Sequence, residues 1–325
     1  MRVDVHNHAF PEAVVELVGR EKAFRIEIRD GMVVNRRYAR HELFPSLVDP
    51  DAKIRQLEEG GLEGAVICVE PALFSYDAEL EAAELMAATA NAGLADFCRP
   101  HPDRLHWMAQ VPMQAPERAA QVLEEAVKAG AVGVEIGTAV AARRPDEPEF
   151  EPFWAAVERL GVTVFVHPAY NRHHDGLEPY YLQNVIGNPL ETTIFIERLI
   201  CAGVLDRHPG VRLVLSHAGG FFPYQVGRLR HARTVRPELE KAPQDPWSFT
   251  RQVYIDTISH DPAALAYLVS RAGPERVVMG TDFPYDMATP KPMAALLEAV
   301  DGDAARQVAE ANPAALFGLE VGSRA

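Results

Sequence analysis

Eight short apolar runs, nearly free of polar interruption, recur along the 325-residue chain with helix-favouring stretches between them. They cover residues 2–8, 64–69, 105–111, 132–137, 162–168, 212–217, 253–257 and 277–282. Runs that read as continuous rather than alternating belong to strands buried on both faces, the pattern of a parallel sheet covered by helices. Eight is the number that closes such a sheet into a (β/α)8 TIM barrel. A doubly wound open sheet needs a glycine-rich turn after its first strand, and His8-Ala9-Phe10-Pro11 offers none. Asp49-Pro50, Asn188-Pro189 and Asp261-Pro262 are helix starts, the second predicting a long helix to about Leu205. Residues 1–325 are therefore expected to form one α/β domain. The one connection too long for a plain loop, residues 9–50, is expected to be an insertion lobe after the first strand.

In such a barrel the chemistry sits where the strands end. The first run ends in His6 and His8, which the two-residue period of a strand aims at one spot. The fifth ends in His167, the sixth in His217 and the eighth in Asp282, whereas the remaining histidines fall mostly in loops and helices. Taken singly, Asp282 reads as a helix cap and His167 as a loop hydrogen-bonder. Together, histidines and an aspartate at one barrel rim are the signature of a metal site. Imidazoles with a carboxylate are a borderline-soft set that suits zinc first, with manganese, cobalt or iron as alternatives.

The formal charge of −14 excludes nucleic acid and anionic membrane as partners, since both require a cationic surface. An anionic small-molecule substrate would need local arginines. Cys68, Cys98 and Cys201 lie far apart and read as reduced thiols of a cytoplasmic protein; no leader or membrane-spanning run is expected.

His6-Asn7-His8, Val166-His167-Pro168, Ser216-His217-Ala218-Gly219-Gly220 and Gly280-Thr281-Asp282-Phe283-Pro284 resemble the amidohydrolase superfamily, in the branch around 2-amino-3-carboxymuconate 6-semialdehyde decarboxylase (amidohydrolase-related family 2). The similarity continues through Gln110-Val111-Pro112, Gly133 to Gly137, Asn188 to Thr192 and Asn312-Pro313-Ala314. It implies a distorted TIM barrel holding one catalytic divalent metal on His6, His8, His167 and Asp282, with a metal-bound water and His217 as the base beside it. Asp282 would share the proton transfer, and no organic cofactor would be needed. Binuclear members carry a bridging lysine at the end of the fourth strand, where this chain has Glu135. That favours one metal, with Glu135 as an open question for a second.

The implied reaction is non-oxidative decarboxylation of a small unsaturated or aromatic carboxylate, of carboxymuconate-semialdehyde or hydroxybenzoate type. The alternative is a hydrolase cleaving a lactone, amide or C–C bond of a ring-cleavage product. A metal-binding protein without turnover is a third possibility, disfavoured by His217. The resemblance also implies a homodimer and substrate contacts from Arg228 and Arg236, although helix arginines paired with Glu238 or Glu240 fit the residues equally well. Arg40 or His41 stands near the branch's substrate arginine, and Tyr180 where it has a tryptophan. Tyr38, Phe74, Tyr170 and Asn171 are further candidates for the pocket wall.

Overall fold

The computed structural model describes residues 1–35, 40–169, 174–240, 242 and 245–319. Tyr38, Tyr170 and Asn171 therefore lie outside the described residues. In chain order the strands are β1 Val3–Ala9, β2 Ile26–Arg29, β3 Met32–Asn35, β4 Arg40–Glu42, β5 Gly64–Val69, β6 Leu105–Ala109, β7 Gly133–Gly137, β8 Thr163–His167, β9 Arg212–Leu215, β10 Val253–Asp256 and β11 Val277–Val278. β1 and β5 to β11 form one parallel eight-stranded sheet in sequence order. It closes where Val5 and His8 donate backbone bonds to Met279 and Phe283 (2.9 and 3.0 Å) and Asp282 donates to His6 (2.9 Å). The result is a distorted TIM barrel.

Alternation sorts the strands' side chains into two apolar layers. Val66, Cys68, Met108, Phe165, Val214 and Val278 fill the barrel interior, and Leu316, Phe317 and Leu319 pack against them from the end of the chain. Ile67, Val134, Val164, Val166 and Leu213 face outward under the helices. β1 does not keep one parity. Val3 and Val5 belong to the interior layer, yet so do the rings of His6 and His8, with His6 4.9 Å from Phe165.

A bulge between Asp4 and Asn7 makes this possible: β1 spends three residues where β5 spends two, from Ala65 to Ile67. Asp4 holds the bulge. Its carboxylate accepts from the His6 and Thr281 backbone N–H groups (3.0 and 3.1 Å), from Asn7 Nδ2 (2.7 Å) and from Thr281 Oγ1 (2.5 Å). Lys53, fully buried in the helix Pro50–Glu59, donates to Asn7 Oδ1 and the His8 carbonyl (2.6 and 2.8 Å). Asp49 starts that helix by accepting from Asp51 N, as its Asp-Pro signal predicts.

The segment after β1 is ordered where described. Helix Glu12–Arg20 buries Val14, Leu17 and Val18, and β2, β3 and β4 form an antiparallel sheet. Several expected boundaries differ. The sixth strand stops at Leu215 because His217 and Ala218 take left-handed φ (53° and 54°), and the eighth stops at Val278, where the backbone swings toward β1. The helix from Asn188 ends at Cys201, ahead of left-handed Gly203. Among the described residues no helix is long and apolar enough to cross a membrane.

Burial depresses the Lys53 amine to about 7 against the opposing pull of Asp4. Between that value and the 10.5 of the unfolded chain, the folded protein binds fewer protons than the unfolded one, so this group makes stability rise with pH. Urea denaturation should show the stability gap between wild type and Lys53→Met widening from pH 7 to 10, by at most about 1.4 kcal/mol per pH unit. Parallel pH profiles would contradict a buried amine.

Candidate active site

The interior residues at the C-terminal ends of β1, β8 and β11 converge. The ligand-type atoms of His6, His8, His167 and Asp282 lie within 4.8 Å of one another, and all four residues are buried. Each histidine spends its δ nitrogen outward: His6 on Asp256 Oδ2 (2.7 Å), His8 on the Val69 carbonyl (2.9 Å), His167 on the Pro168 carbonyl (2.7 Å). Partners of that kind take the N–H, which leaves each Nε2 with a lone pair aimed inward. The ε nitrogens of His6 and His8 stand 3.3 and 3.2 Å from Asp282 Oδ1, and that of His167 has no hydrogen-bond partner among the described residues.

With those tautomers acceptors face one another at this range, a clash that a proton on a ring or a bound cation relieves. Burial opposes a charge on His6, but Asp282 and Asp256 outweigh it and lift the imidazole to about 10. Burial drives His8 down, and burial with the neighbouring histidines drives His167 well down, so both favour neutral rings. Burial also works against ionised Asp282, yet the surrounding histidines hold it well below the ordinary carboxylate range. Two neutral imidazoles, a third imidazole oriented by a carboxylate, and an ionised aspartate fit a divalent cation. A metal-binding site is present.

His217 stands at its edge. Its Nε2 is 3.7 Å from Asp282 Oδ2, and its ring lies 4.9 Å from that of His167 and 5.3 Å from that of His6. The left-handed turn that positions it is tied down by Asp256, which accepts from the backbone N–H groups of His217 (3.0 Å), Ala218 (2.7 Å) and Ile258 (3.1 Å). One carboxylate thus orients both His6 and the His217 turn. Gly280 permits the crowding: a Cβ there would meet those of Asp256 and His6 at 3.0 Å. Asp256 ends the seventh barrel strand, and that position was the available signal for a site role that the sequence reading did not assign.

Asp282, His167 and His217 open onto a cavity of about 350 Å³, whose wall includes Arg40, His41, Glu70, Tyr181, Asn188 and Tyr285. Arg40 reaches this wall. Tyr180 does not: it is 88% exposed in a left-handed turn that sends Tyr181 to the cavity instead. Phe74 is buried elsewhere. Arg228 and Arg236 also lie away from the cavity. Arg228 is exposed on the helix Phe222–Val235, and Arg236 caps that helix while pairing with Glu238.

Glu135 and Cys68 lie on the inner faces of β7 and β5 and cluster with His8. Cys68 Sγ is 3.3 Å from His8 Nδ1, the nitrogen already given to Val69. Burial raises both the Cys68 thiol and the Glu135 carboxyl well above their ordinary values, favouring the neutral forms.

A sequence profile of the amidohydrolase family matches residues 3–319. The chain belongs to this amidohydrolase family. Among curated relatives of this amidohydrolase, 2-amino-3-carboxymuconate-6-semialdehyde decarboxylase of Dictyostelium discoideum is 29% identical over 88% of this chain and 82% of its own. Gamma-resorcylate decarboxylase of Rhodococcus jostii is 30% identical over 75% and 80%. The crystal structure of 5-carboxyvanillate decarboxylase from Novosphingobium aromaticivorans, with manganese and 4-hydroxy-3-methoxy-5-nitrobenzoic acid, superposes with a TM-score of 0.82. It covers 98% of this chain and 96% of its own at 21% identity.

Asp256→Asn is expected to weaken metal affinity about 10–100-fold with the fold retained. Competition with a chromogenic chelator, beside circular dichroism, measures both. Unchanged affinity would remove Asp256 from the site's support.

Proposed function

We propose that this amidohydrolase is a metal-dependent, non-oxidative decarboxylase of a small aromatic or unsaturated carboxylate. The reading rests on one arrangement: three inward Nε2 atoms and Asp282 at the floor of a ring-sized cavity, with His217 free to move a proton beside them. The names of its relatives support the same reaction. His6, His8, His167 and Asp282 would hold one divalent metal. Zinc suits these donors, and manganese is supported by the 5-carboxyvanillate enzyme. When bound, the metal supplies Lewis acidity to substrate oxygens and to water.

The rest of the chemistry belongs to side chains. Breaking the bond between the substrate carbon and its carboxylate releases CO2 and leaves the electron pair on that carbon, which must take up a proton. His217 is placed to deliver it and would recover a proton from solvent through the cavity, with the ionised Asp282 Oδ2, 3.7 Å away, positioned to accept and pass that proton on. Arg40 at the cavity wall supports approach of an anion. A homodimer, as the family resemblance implies, would cover exposed Tyr224 and Val235 and is the setting in which Arg228 and Arg236 would face a partner's site.

The first test pairs elemental analysis with headspace CO2 over dihydroxybenzoates, 5-carboxyvanillate and 2-amino-3-carboxymuconate semialdehyde. About one metal per chain with CO2 release is the expected result. Metal-loaded protein that releases no CO2 from any of them would sink the proposal. His8→Ala should lose metal and activity together. His217→Asn should keep its metal and lose at least about 10²-fold in kcat, read by steady-state kinetics on metal-quantified protein.

A further inference from the structure

The cavity wall carries a second group of polar atoms that the metal and proton chemistry do not use. Glu70, just past β5, is 5% exposed; its Oε1 accepts from His41 Nε2 at 2.9 Å, while its Oε2 is buried without a hydrogen-bond partner among the described residues. His41 donates its other nitrogen to the Glu42 carbonyl (2.9 Å). Both ring nitrogens of His41 face acceptors, and although burial opposes its charge, Glu70 raises its pKa, which favours the imidazolium.

Tyr285 completes the group. Its ring sits edge-on to His41 at 5.2 Å and against His8 at 5.2 Å, and its hydroxyl is likewise buried without a partner among the described residues. A phenol carries its proton at neutral pH, so this hydroxyl has a hydrogen to donate. A buried carboxylate oxygen and a buried phenol, each lacking a bond, carry an unmet desolvation cost that a ligand can offset.

The two orphan atoms specify the ligand group. Glu70 Oε2 only accepts, so the ligand must donate to it; the Tyr285 hydroxyl donates, so the same group can accept from it. A neutral hydroxyl does both. A second carboxylate can only accept, and would face Glu70, Glu42 and Asp286, which outnumber Arg40 and His41 in the cavity lining. The Tyr285 ring, 5.2 Å from that of His8, places the subsite beside the candidate ligands, and both open onto the same cavity.

We propose that Glu70, His41 and Tyr285 form a distal subsite that takes a neutral phenolic or enolic hydroxyl of the substrate and rejects a second carboxylate. The inference rests on the decarboxylase reading for the position of the first carboxylate, and the lobe strand β4 supplies one of its three members.

The test is isothermal titration of manganese-loaded wild type, Tyr285→Phe and Glu70→Gln with salicylate, the four dihydroxybenzoates that contain its hydroxyl, and isophthalate. Wild type should bind at least one dihydroxybenzoate about tenfold or more tighter than salicylate, with isophthalate weakest. Tyr285→Phe, with unchanged metal content and circular dichroism, should lose most of that advantage while its salicylate affinity holds. Glu70→Gln should gain affinity for isophthalate. Equal binding of all the dihydroxybenzoates and salicylate to wild type, or isophthalate bound as tightly as they are, would overturn the subsite even if CO2 is released. A hydroxyl preference that Tyr285→Phe abolishes, without CO2 release from any compound, would uphold the subsite and reject the decarboxylase.

Discussion

One extra residue in β1 decides whether this barrel has an active site. An unbulged strand that buries Val3 and Val5 in the barrel would send His6 and His8 outward beneath the helices, because successive side chains alternate faces. The bulge between Asp4 and Asn7 reverses the parity after the apolar floor has been laid. Both the floor and the metal ligands then face inward from a single seven-residue strand. Such an irregularity forfeits ladder bonds, and Asp4, Asn7, Lys53 and Thr281 replace them with a buried polar network. Because Thr281 directly precedes Asp282, the same network also sets the barrel seam and the position of Asp282, the carboxylate of the candidate ligand set. Closure of the sheet and assembly of the site are thus one event.

The three candidate ligand histidines are held from behind in two chemically different ways. His8 and His167 lean on neutral carbonyls, which set the tautomer without adding charge, whereas His6 leans on the Asp256 carboxylate, which makes its ring a stronger electron donor. Asp256 in turn fixes the backbone of His217. His6 of the candidate ligand set and the turn that carries His217 therefore share one anchor.

The barrel and the ends of its strands were legible in the sequence because parallel strands deliver all their C-terminal ends to one rim. A residue's place at the end of an apolar run is then enough to put it near the others. That is why His6, His8, His167, His217 and Asp282 were found together without any contact being known. What escaped depends on features that periodicity does not encode. The bulge violates the very alternation used to pair His6 with His8, so their shared face was read rightly while the fate of Val3 and Val5 was not addressed. Asp256 and Glu70 end apolar runs just as the histidines do, but a lone carboxylate there signals nothing until its partners are seen. Tyr180 and Tyr181 are consecutive, and only the left-handed turn decides which one faces the cavity. Arg228 and Arg236 were assigned from resemblance alone, and within this chain they face away from the cavity.

A chain of formal charge −14 must still attract an anionic substrate. Global charge is screened over roughly 8–10 Å at physiological salt, so what a carboxylate meets inside the cavity is the local set of groups. Around the candidate ligands that set is His6 backed by the Asp256 carboxylate, His8 and His167 favouring neutral rings, and ionised Asp282, so a divalent ion would offset both carboxylates and be the cation nearest the cavity. Toward the lobe, Glu70, Glu42 and Asp286 make the wall acidic, only partly countered by His41 and Arg40. A field that is positive at one end and negative at the other orients a monocarboxylate, because its charge is driven to the floor and its neutral substituents toward the lobe. On the proposed decarboxylase reading, the acidity that looks unsuitable for an anion-processing enzyme would, at this scale, fix the substrate's direction.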